Sequence, residues 1–138
     1  MADQPQKSAV RPLSPHLTIY RWPITMATSI VHRMTGVALA GGTLIVAWWL
    51  IAAASGPDAY NEFRELIALP VSQLILFGFV WSLAYHLVNG VRHLSWDFGY
   101  GFRLPTANKT GILVFSLSLV LACGAFALAW FGKGGYYQ

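Results

Sequence analysis

Two histidines stand in a stretch otherwise apolar enough for lipid: Ala84-Tyr85-His86-Leu87-Val88-Asn89-Gly90-Val91-Arg92-His93-Leu94-Ser95-Trp96-Asp97. On a helix, His86, Gly90 and His93 fall at i, i+4 and i+7 and share one face. At about 1.5 Å of rise per residue, His93 lies roughly 10 Å along the axis from His86. Gly90, between them, has no side chain, so a flat, bulky group fits against the helix there. An imidazole beside such a cradle suits an axial haem ligand, and His86 is the candidate for that role. The plainer alternative is a histidine that hydrogen-bonds between helices.

A second polar set, Ser29, His32, Arg33 and Gly36, opens another apolar stretch. Ser29, Arg33 and Gly36 share one helix face, with His32 beside it. A quinone needs hydrogen-bond donors for its carbonyl oxygens and apolar walls for its ring and tail. The Ser29 hydroxyl and the Arg33 guanidinium are donors, and Trp22, Met26 and Ile30 on the approach supply walls. Arg33 also suits a haem propionate, or the negative charge that develops on a quinone during reduction. Its plainer reading is a cation snorkelling to the headgroups. Arg92 and Asp97 have a similar plain reading, as residues that end their helix at the interface, and His93 that of an interface histidine.

The elements that must position these residues are membrane spans. The chain is 56% hydrophobic and 10% charged, against about a quarter charged for a soluble domain. No Asp, Glu, Lys or Arg occurs over Thr35–Ala54, Leu66–Val91 or Thr110–Gly132. Each gap is long enough for the roughly 20 residues that cross a hydrocarbon core as a helix. The runs are apolar all round, without the alternation of a β-barrel strand. The expected fold is an all-α integral membrane protein with three transmembrane helices running up, down and up. Their expected spans are about residues 23–54, 69–96 and 106–131, within one membrane domain over residues 23–138.

The net charge of +4 and pI of about 9.5 would suit nucleic acid in a soluble protein. Here the basic residues flank spans, and no nucleic-acid role is expected. Lys7, Arg11, Arg21 and Arg33 on one side join Arg92, Arg103 and Lys109 at the far end of the second span, leaving Arg64 and Lys133 opposite. By the positive-inside rule the N-terminus is cytoplasmic and the C-terminus periplasmic. His32, Arg33, His86, Arg92, His93 and Asp97 then share one depth band in the same leaflet. Charge in the membrane costs a few kcal/mol or more, so such groups face a partner, a cavity or a ligand.

Residues 1–22, with Pro5, Pro12 and Pro15, are not expected to be helical. They read as a cytoplasmic arm lying on a partner's surface. Ala52-Ala53-Ala54 looks like a signal-peptidase site, but the apolar stretch before it is too long for a typical signal, and the span is expected to be retained. Ser55-Gly56-Pro57-Asp58 breaks the first span, and a short loop or interfacial turn is expected through Glu65. Gly99 to Pro105 is the next loop. The third span has Ser116, Ser118, Cys123 and Gly124 and reads as a packing helix. Cys123 is the single cysteine, so there is no intrachain disulfide. There is also no Cys-x-x-Cys-His, so a haem is held noncovalently.

The same segments carry a family likeness. Arg11-Pro12-Leu13-Ser14-Pro15-His16-Leu17-Thr18-Ile19-Tyr20, then Ser29-Ile30-Val31-His32-Arg33-Met34-Thr35-Gly36, then His86 to Asp97, resemble the cytochrome b (large) anchor subunit of succinate dehydrogenase, respiratory complex II. The likeness covers nearly the whole chain. It implies a bundle completed by a second small membrane-anchor subunit, and a haem b between the two anchors with one axial histidine from each, His86 here. By the family's pattern, Ser29 and Arg33 match ubiquinone-site positions lined by Ile30, Trp22 and Met26, while His32, Arg33 and His93 match positions near the haem propionates. It implies partners too: a flavoprotein subunit carrying FAD that oxidises succinate, and an iron–sulfur subunit that passes electrons to ubiquinone. The chain would serve the tricarboxylic acid cycle and respiratory chain as an enzyme subunit, not as an enzyme alone. The arm resembles the alphaproteobacterial and mitochondrial branch. With no Arg- and Ser-rich transit segment before it, a bacterial inner membrane is expected rather than a mitochondrial one.

Three rivals stand beside this reading. One is a self-contained cytochrome with His32 and His86 both on the iron. Another is a non-redox anchor or assembly factor with purely structural histidines. A transporter is the weakest, since no internal repeat is present.

Overall fold

The computed structural model describes residues 21–132. The expected arm therefore lies outside the described residues except for Arg21 and Trp22. Among the described residues there are four helices and no strand: α1 (Ile24–Ser55), α2 (Pro57–Ala68), α3 (Pro70–Asp97) and α4 (Leu104–Gly132). Three of them, α1, α3 and α4, are long and apolar enough to cross a membrane. A chain in lipid must pair every backbone N–H and C=O with itself, and a helix does so locally. With 32 residues, α1 is about 48 Å long, more than the roughly 30 Å of a hydrocarbon core.

Proline and glycine place the breaks. Pro23 is extended (φ −70°, ψ 146°) and immediately precedes α1. Pro57 and Pro70 each open a helix, where a missing N–H costs nothing. Leu69, forced out of helical geometry by the following proline, takes φ −62° and ψ 142° and separates α2 from α3. Between α3 and α4 the chain turns at Gly99 and Gly101, with φ of 86° and 87°, values an L side chain adopts only with strain.

The connector expected as a loop or turn up to Glu65 is instead the helix α2, 12 residues long. It is amphipathic. Asp58, Glu62, Arg64 and Glu65 are exposed, while Phe63 is buried, edge-on to Trp48 of α1 with ring centroids 5.0 Å apart. Such a helix suits the water–lipid interface. Gln73 in the first turn of α3 donates to the Ile67 carbonyl at the end of α2 at 2.6 Å, satisfying a carbonyl that the helix end leaves free.

The helices meet along narrow seams with α3 in the middle, touching both α1 and α4. On α1 the buried residues Thr28, Thr35 and Gly42 recur every seventh position. On α3 the seam includes Ser82, Tyr85, Asn89 and Arg92, and on α4 it is Ala107, Gly111, Val114, Ser118 and Ala122. Small residues allow close approach where lipid supplies no hydrophobic drive between helices. A Cβ on Gly42 would run into the Phe79 ring, and one on Gly111 would stand 3.3 Å from Ile24 and 3.4 Å from Thr28. The seam hydroxyls pair within their own helices: Thr28 with Thr25 O at 2.9 Å, Thr35 with His32 O at 2.8 Å and Ser118 with Phe115 O at 2.9 Å. Elsewhere the spans face outward. Only 11% of the residues in α1's most apolar stretch and 17% of those in α3 and α4 are buried, so much apolar surface is left for lipid and other subunits.

Candidate functional site

The seam between α1 and α3 brings His32 and His86 together. Their rings stack with centroids 3.8 Å apart and planes 13° from parallel. His86 Nδ1 lies 3.2 Å from the Thr35 hydroxyl oxygen, while Nε2 has no hydrogen-bond partner among the described residues. Gly36 presses against the same ring, since a Cβ there would sit 3.3 Å from Cε1. His93, two turns beyond His86, comes within 5.2 Å of the His32 ring and stands edge-on to Trp96 at 5.1 Å. The three histidines therefore form one cluster, as their shared depth implied. His32 Nδ1 is buried in it without a partner. Nothing approaches a Cβ placed on Gly90, so the α3 face between His86 and His93 is open at that point.

Stacking also bears on the self-contained cytochrome. Two axial ligands must aim ring nitrogens at one iron from opposite sides. His32 and His86 instead present their flat faces to each other, and no ion fits between rings in contact. Among the described residues no group of three or more His, Cys, Asp or Glu could hold a metal ion, so any metal bound here needs ligands from elsewhere.

Below the cluster lies a network that the sequence does not announce. Arg92 is 6% exposed. Its Nε donates to Thr110 Oγ1 at 3.0 Å, Nη1 to Thr28 Oγ1 at 3.2 Å and Asn89 Oδ1 at 3.3 Å, and Nη2 to the Ala107 carbonyl at 3.0 Å. The guanidinium carbon also lies 4.1 Å from the Trp96 ring centre, within range of a cation–π contact. Tyr85 adds a bond from its hydroxyl to the Thr28 carbonyl at 3.1 Å. The plain reading of Arg92 as a snorkelling helix-end residue is thus corrected: the side chain turns inward and ties α3 to α1 and α4. The planar fork explains why, because four of its five donors meet fixed acceptors on three helices. Asp97 does end α3, and it is exposed.

The proposed quinone residues lie along the first turns of α1. Trp22 is 65% and Ile30 36% exposed; Arg33 is exposed, while Ser29 and Met26 are partly covered. Ser29 and Arg33 have no hydrogen-bond partner among the described residues. Their stripe continues into Gly36, so a polar, uncovered edge of α1 runs into the contact with His86. This is one wall of a site, left open. A hollow of about 670 Å³ under α2 is lined by Tyr60, Phe63, Arg64 and Gln73 among others. Gln73 is 13 residues from His86, about 20 Å along α3, so that hollow belongs to the other end of the bundle.

Sequence reasoning missed Thr35, Thr28, Asn89, Tyr85 and Thr110 as parts of this region. Thr35 lay within a motif already noted, three residues after His32, but only the tertiary fold shows its hydroxyl reaching His86. The seven-residue recurrence of Thr28, Thr35 and Gly42 was the available signal for the buried face.

Comparison with known proteins agrees with this architecture. The family model described as succinate dehydrogenase/fumarate reductase transmembrane subunit matches residues 7–125. The succinate dehydrogenase cytochrome b556 subunit of Paracoccus denitrificans is 43% identical over 112 residues, 81% of this chain and 86% of that protein. The corresponding b556 subunit of Rickettsia prowazekii is 47% identical over 111 residues, 80% and 86% of the two chains. The mitochondrial cytochrome b560 subunit of Sus scrofa is 40% identical over 123 residues, 86% of this chain and 71% of that one. Three spanning helices with clustered histidines, relatives 40–47% identical over most of the chain and a family match over most of its length lead to one assignment: the chain belongs to the succinate dehydrogenase/fumarate reductase transmembrane subunits.

Proposed function

We propose that this chain is the haem b-carrying anchor subunit of a bacterial succinate:ubiquinone oxidoreductase, and that it forms part of the ubiquinone reduction site. The relatives' names specify succinate dehydrogenase and cytochrome b. The observation that carries the reading is His86, gripped on its Nδ1 side by Thr35 and Gly36, with Nε2 unpartnered and open helix face over Gly90.

These residues fit a haem. His86 would supply a ring nitrogen to the iron, Gly90 would leave room for a flat group, and His32, Arg33 and His93 would face the propionates. His32 Nδ1, buried without a partner, is one such waiting group. A further ligand to the iron would come from a second small membrane-anchor subunit, whose docking would cover apolar surface that the three spans leave bare. Bound haem supplies a reversible one-electron couple. The chain's own part is to hold the ring, exclude water and neutralise the propionates. At the edge of α1, Ser29 and Arg33 donate to the quinone carbonyls, with Trp22, Met26 and Ile30 against its ring and tail. The Arg33 charge favours the electron-rich form that precedes protonation to the quinol. Flavoprotein and iron–sulfur subunits dock on the same side, which is cytoplasmic by the distribution of basic residues, with residues 1–22 as the arm that meets them.

Purified complex tests each part. His86→Ala lowers haem content, read as the pyridine haemochrome per complex. Ser29→Ala and Arg33→Ala lower ubiquinone reductase activity, by about 10-fold or more if each removes a donor that strengthens in the transition state. Succinate oxidation with a soluble dye persists in all three. A colourless wild-type complex indifferent to ubiquinone contradicts the proposal.

A further inference from the structure

The Thr35 hydroxyl has one proton and two lone pairs. Its oxygen is 2.8 Å from the His32 carbonyl oxygen and 3.2 Å from His86 Nδ1. A carbonyl oxygen only accepts, so the short contact takes the hydroxyl proton, in the familiar bond from Thr to the carbonyl three residues earlier. A lone pair is then left facing Nδ1. Thr35 is 3% exposed, so water does not compete for that lone pair. We infer that Thr35 is a positioning residue for the haem: it accepts the His86 Nδ1–H, fixing the imidazole in the tautomer whose Nε2 lone pair is free for iron. The inference rests on the reading of His86 as axial ligand.

Two consecutive residues of α1 thus hold one edge of the ring. Thr35 engages Nδ1, and Gly36 abuts Cε1, where a Cβ would stand only 3.3 Å away. Nε2, the next ring atom beyond Cε1, has no hydrogen-bond partner among the described residues. Histidines that bind metals donate their other N–H to an acceptor, which orients the ring and makes the ligating nitrogen more basic. The usual acceptors are carboxylates, backbone carbonyls and water. A carboxylate within a span would be costly, and the helix carbonyls of α1 are already paired along their own helix. A threonine hydroxyl supplies a neutral acceptor, and its own proton is satisfied locally.

The test compares Thr35→Val, which keeps the shape without the acceptor, with Thr35→Ser, which keeps the hydroxyl, in the purified four-subunit complex. His86→Ala is run beside them. The readouts are the haem midpoint potential, the electron paramagnetic resonance of the oxidised haem, and the rate of haem loss under detergent challenge. In Thr35→Val the ligand becomes less basic, so the midpoint moves positive, the resonance positions shift and haem is lost about 10-fold faster or more. Thr35→Ser restores native values on all three. A Thr35→Val complex with native potential, spectrum and retention overturns the inference. If Thr35→Val does not accumulate, Thr35→Ala against Thr35→Ser isolates the hydroxyl: a difference in potential supports the inference, and identical potentials overturn it. The His86→Ala arm separates the two levels. If it loses haem while Thr35→Val is native, the axial-ligand reading stands and Thr35 has no such role. If it keeps a native spectrum, the axial-ligand reading fails and this inference fails with it.

Discussion

At the scale of single residues, Arg92 carries the heaviest structural duty outside the histidine cluster. Its guanidinium meets Thr28 on α1, Asn89 on its own helix, and Thr110 and the Ala107 carbonyl on α4. No carboxylate among the described residues pairs with it, so hydrogen bonds and the Trp96 ring carry the stabilisation of a buried cation. Arg92→Lys keeps the charge but replaces a flat fork with a point donor that cannot reach three directions at once. Arg92→Met removes the charge and leaves Asn89 Oδ1 unsatisfied, at about 1–3 kcal/mol, while Thr28, Thr110 and the Ala107 carbonyl keep bonds of their own. Both variants are expected to lower the thermal stability of the purified complex, with Met not restoring what Lys loses. A melting temperature unchanged in Arg92→Met contradicts this. The sequence showed that Arg92 sits near the end of a span; it could not show which way the side chain turns. Lipid headgroups and an internal cage of hydroxyls both satisfy a guanidinium, and only the neighbours in space decide between them.

At the scale of elements, the close contacts between helices depend on glycine at particular positions. Gly42 lies directly under the Phe79 ring, whereas its neighbour Gly41 has open space at the same point. Gly42→Ala is therefore expected to destabilise by about 1–3 kcal/mol, the usual cost of overpacking. Gly41→Ala is expected to be neutral, or slightly stabilising because alanine favours helix. Chemical or thermal unfolding of the two variants in detergent gives the comparison, and equal effects would mean that the α1–α3 contact does not have this geometry. The sequence places two glycines side by side but not the ring that distinguishes them. The helix α2 was hidden for a related reason. Its segment carries Asp58, Glu62, Arg64 and Glu65 and is too polar for a span, and its apolar side becomes meaningful only where Phe63 meets Trp48.

At the scale of the whole molecule, three spans share narrow seams and leave most of their surface bare. Such a chain is suited to an assembly, and the charge distribution bears on its sidedness. Seven of the nine basic residues fall on the side of the N-terminus, and from the positive-inside rule we propose that this side faces the cytoplasm. A sidedness experiment checks this directly. With Cys123, the one native cysteine, replaced by Ala, a cysteine at Asp58 is expected to react with a membrane-impermeant thiol reagent from the periplasmic face only. A cysteine at Tyr100, in the loop after α3, is expected to react only in inverted vesicles. The opposite labelling pattern would overturn the orientation, and with it the side on which the partner subunits dock.

The sequence by itself pointed to three spans, to a depth band shared by His32, Arg33, His86, Arg92, His93 and Asp97, and to the likeness to a family. Those features depend on composition, on helical periodicity and on length against the thickness of a bilayer, all of which are local or additive along the chain. Only the tertiary structure decided that Thr35 reaches His86, that Arg92 turns into the bundle, and that the His32 and His86 rings lie face to face. Each of these is a contact between residues far apart in the chain, where a few ångströms of helix rotation choose among partners that the sequence leaves equivalent.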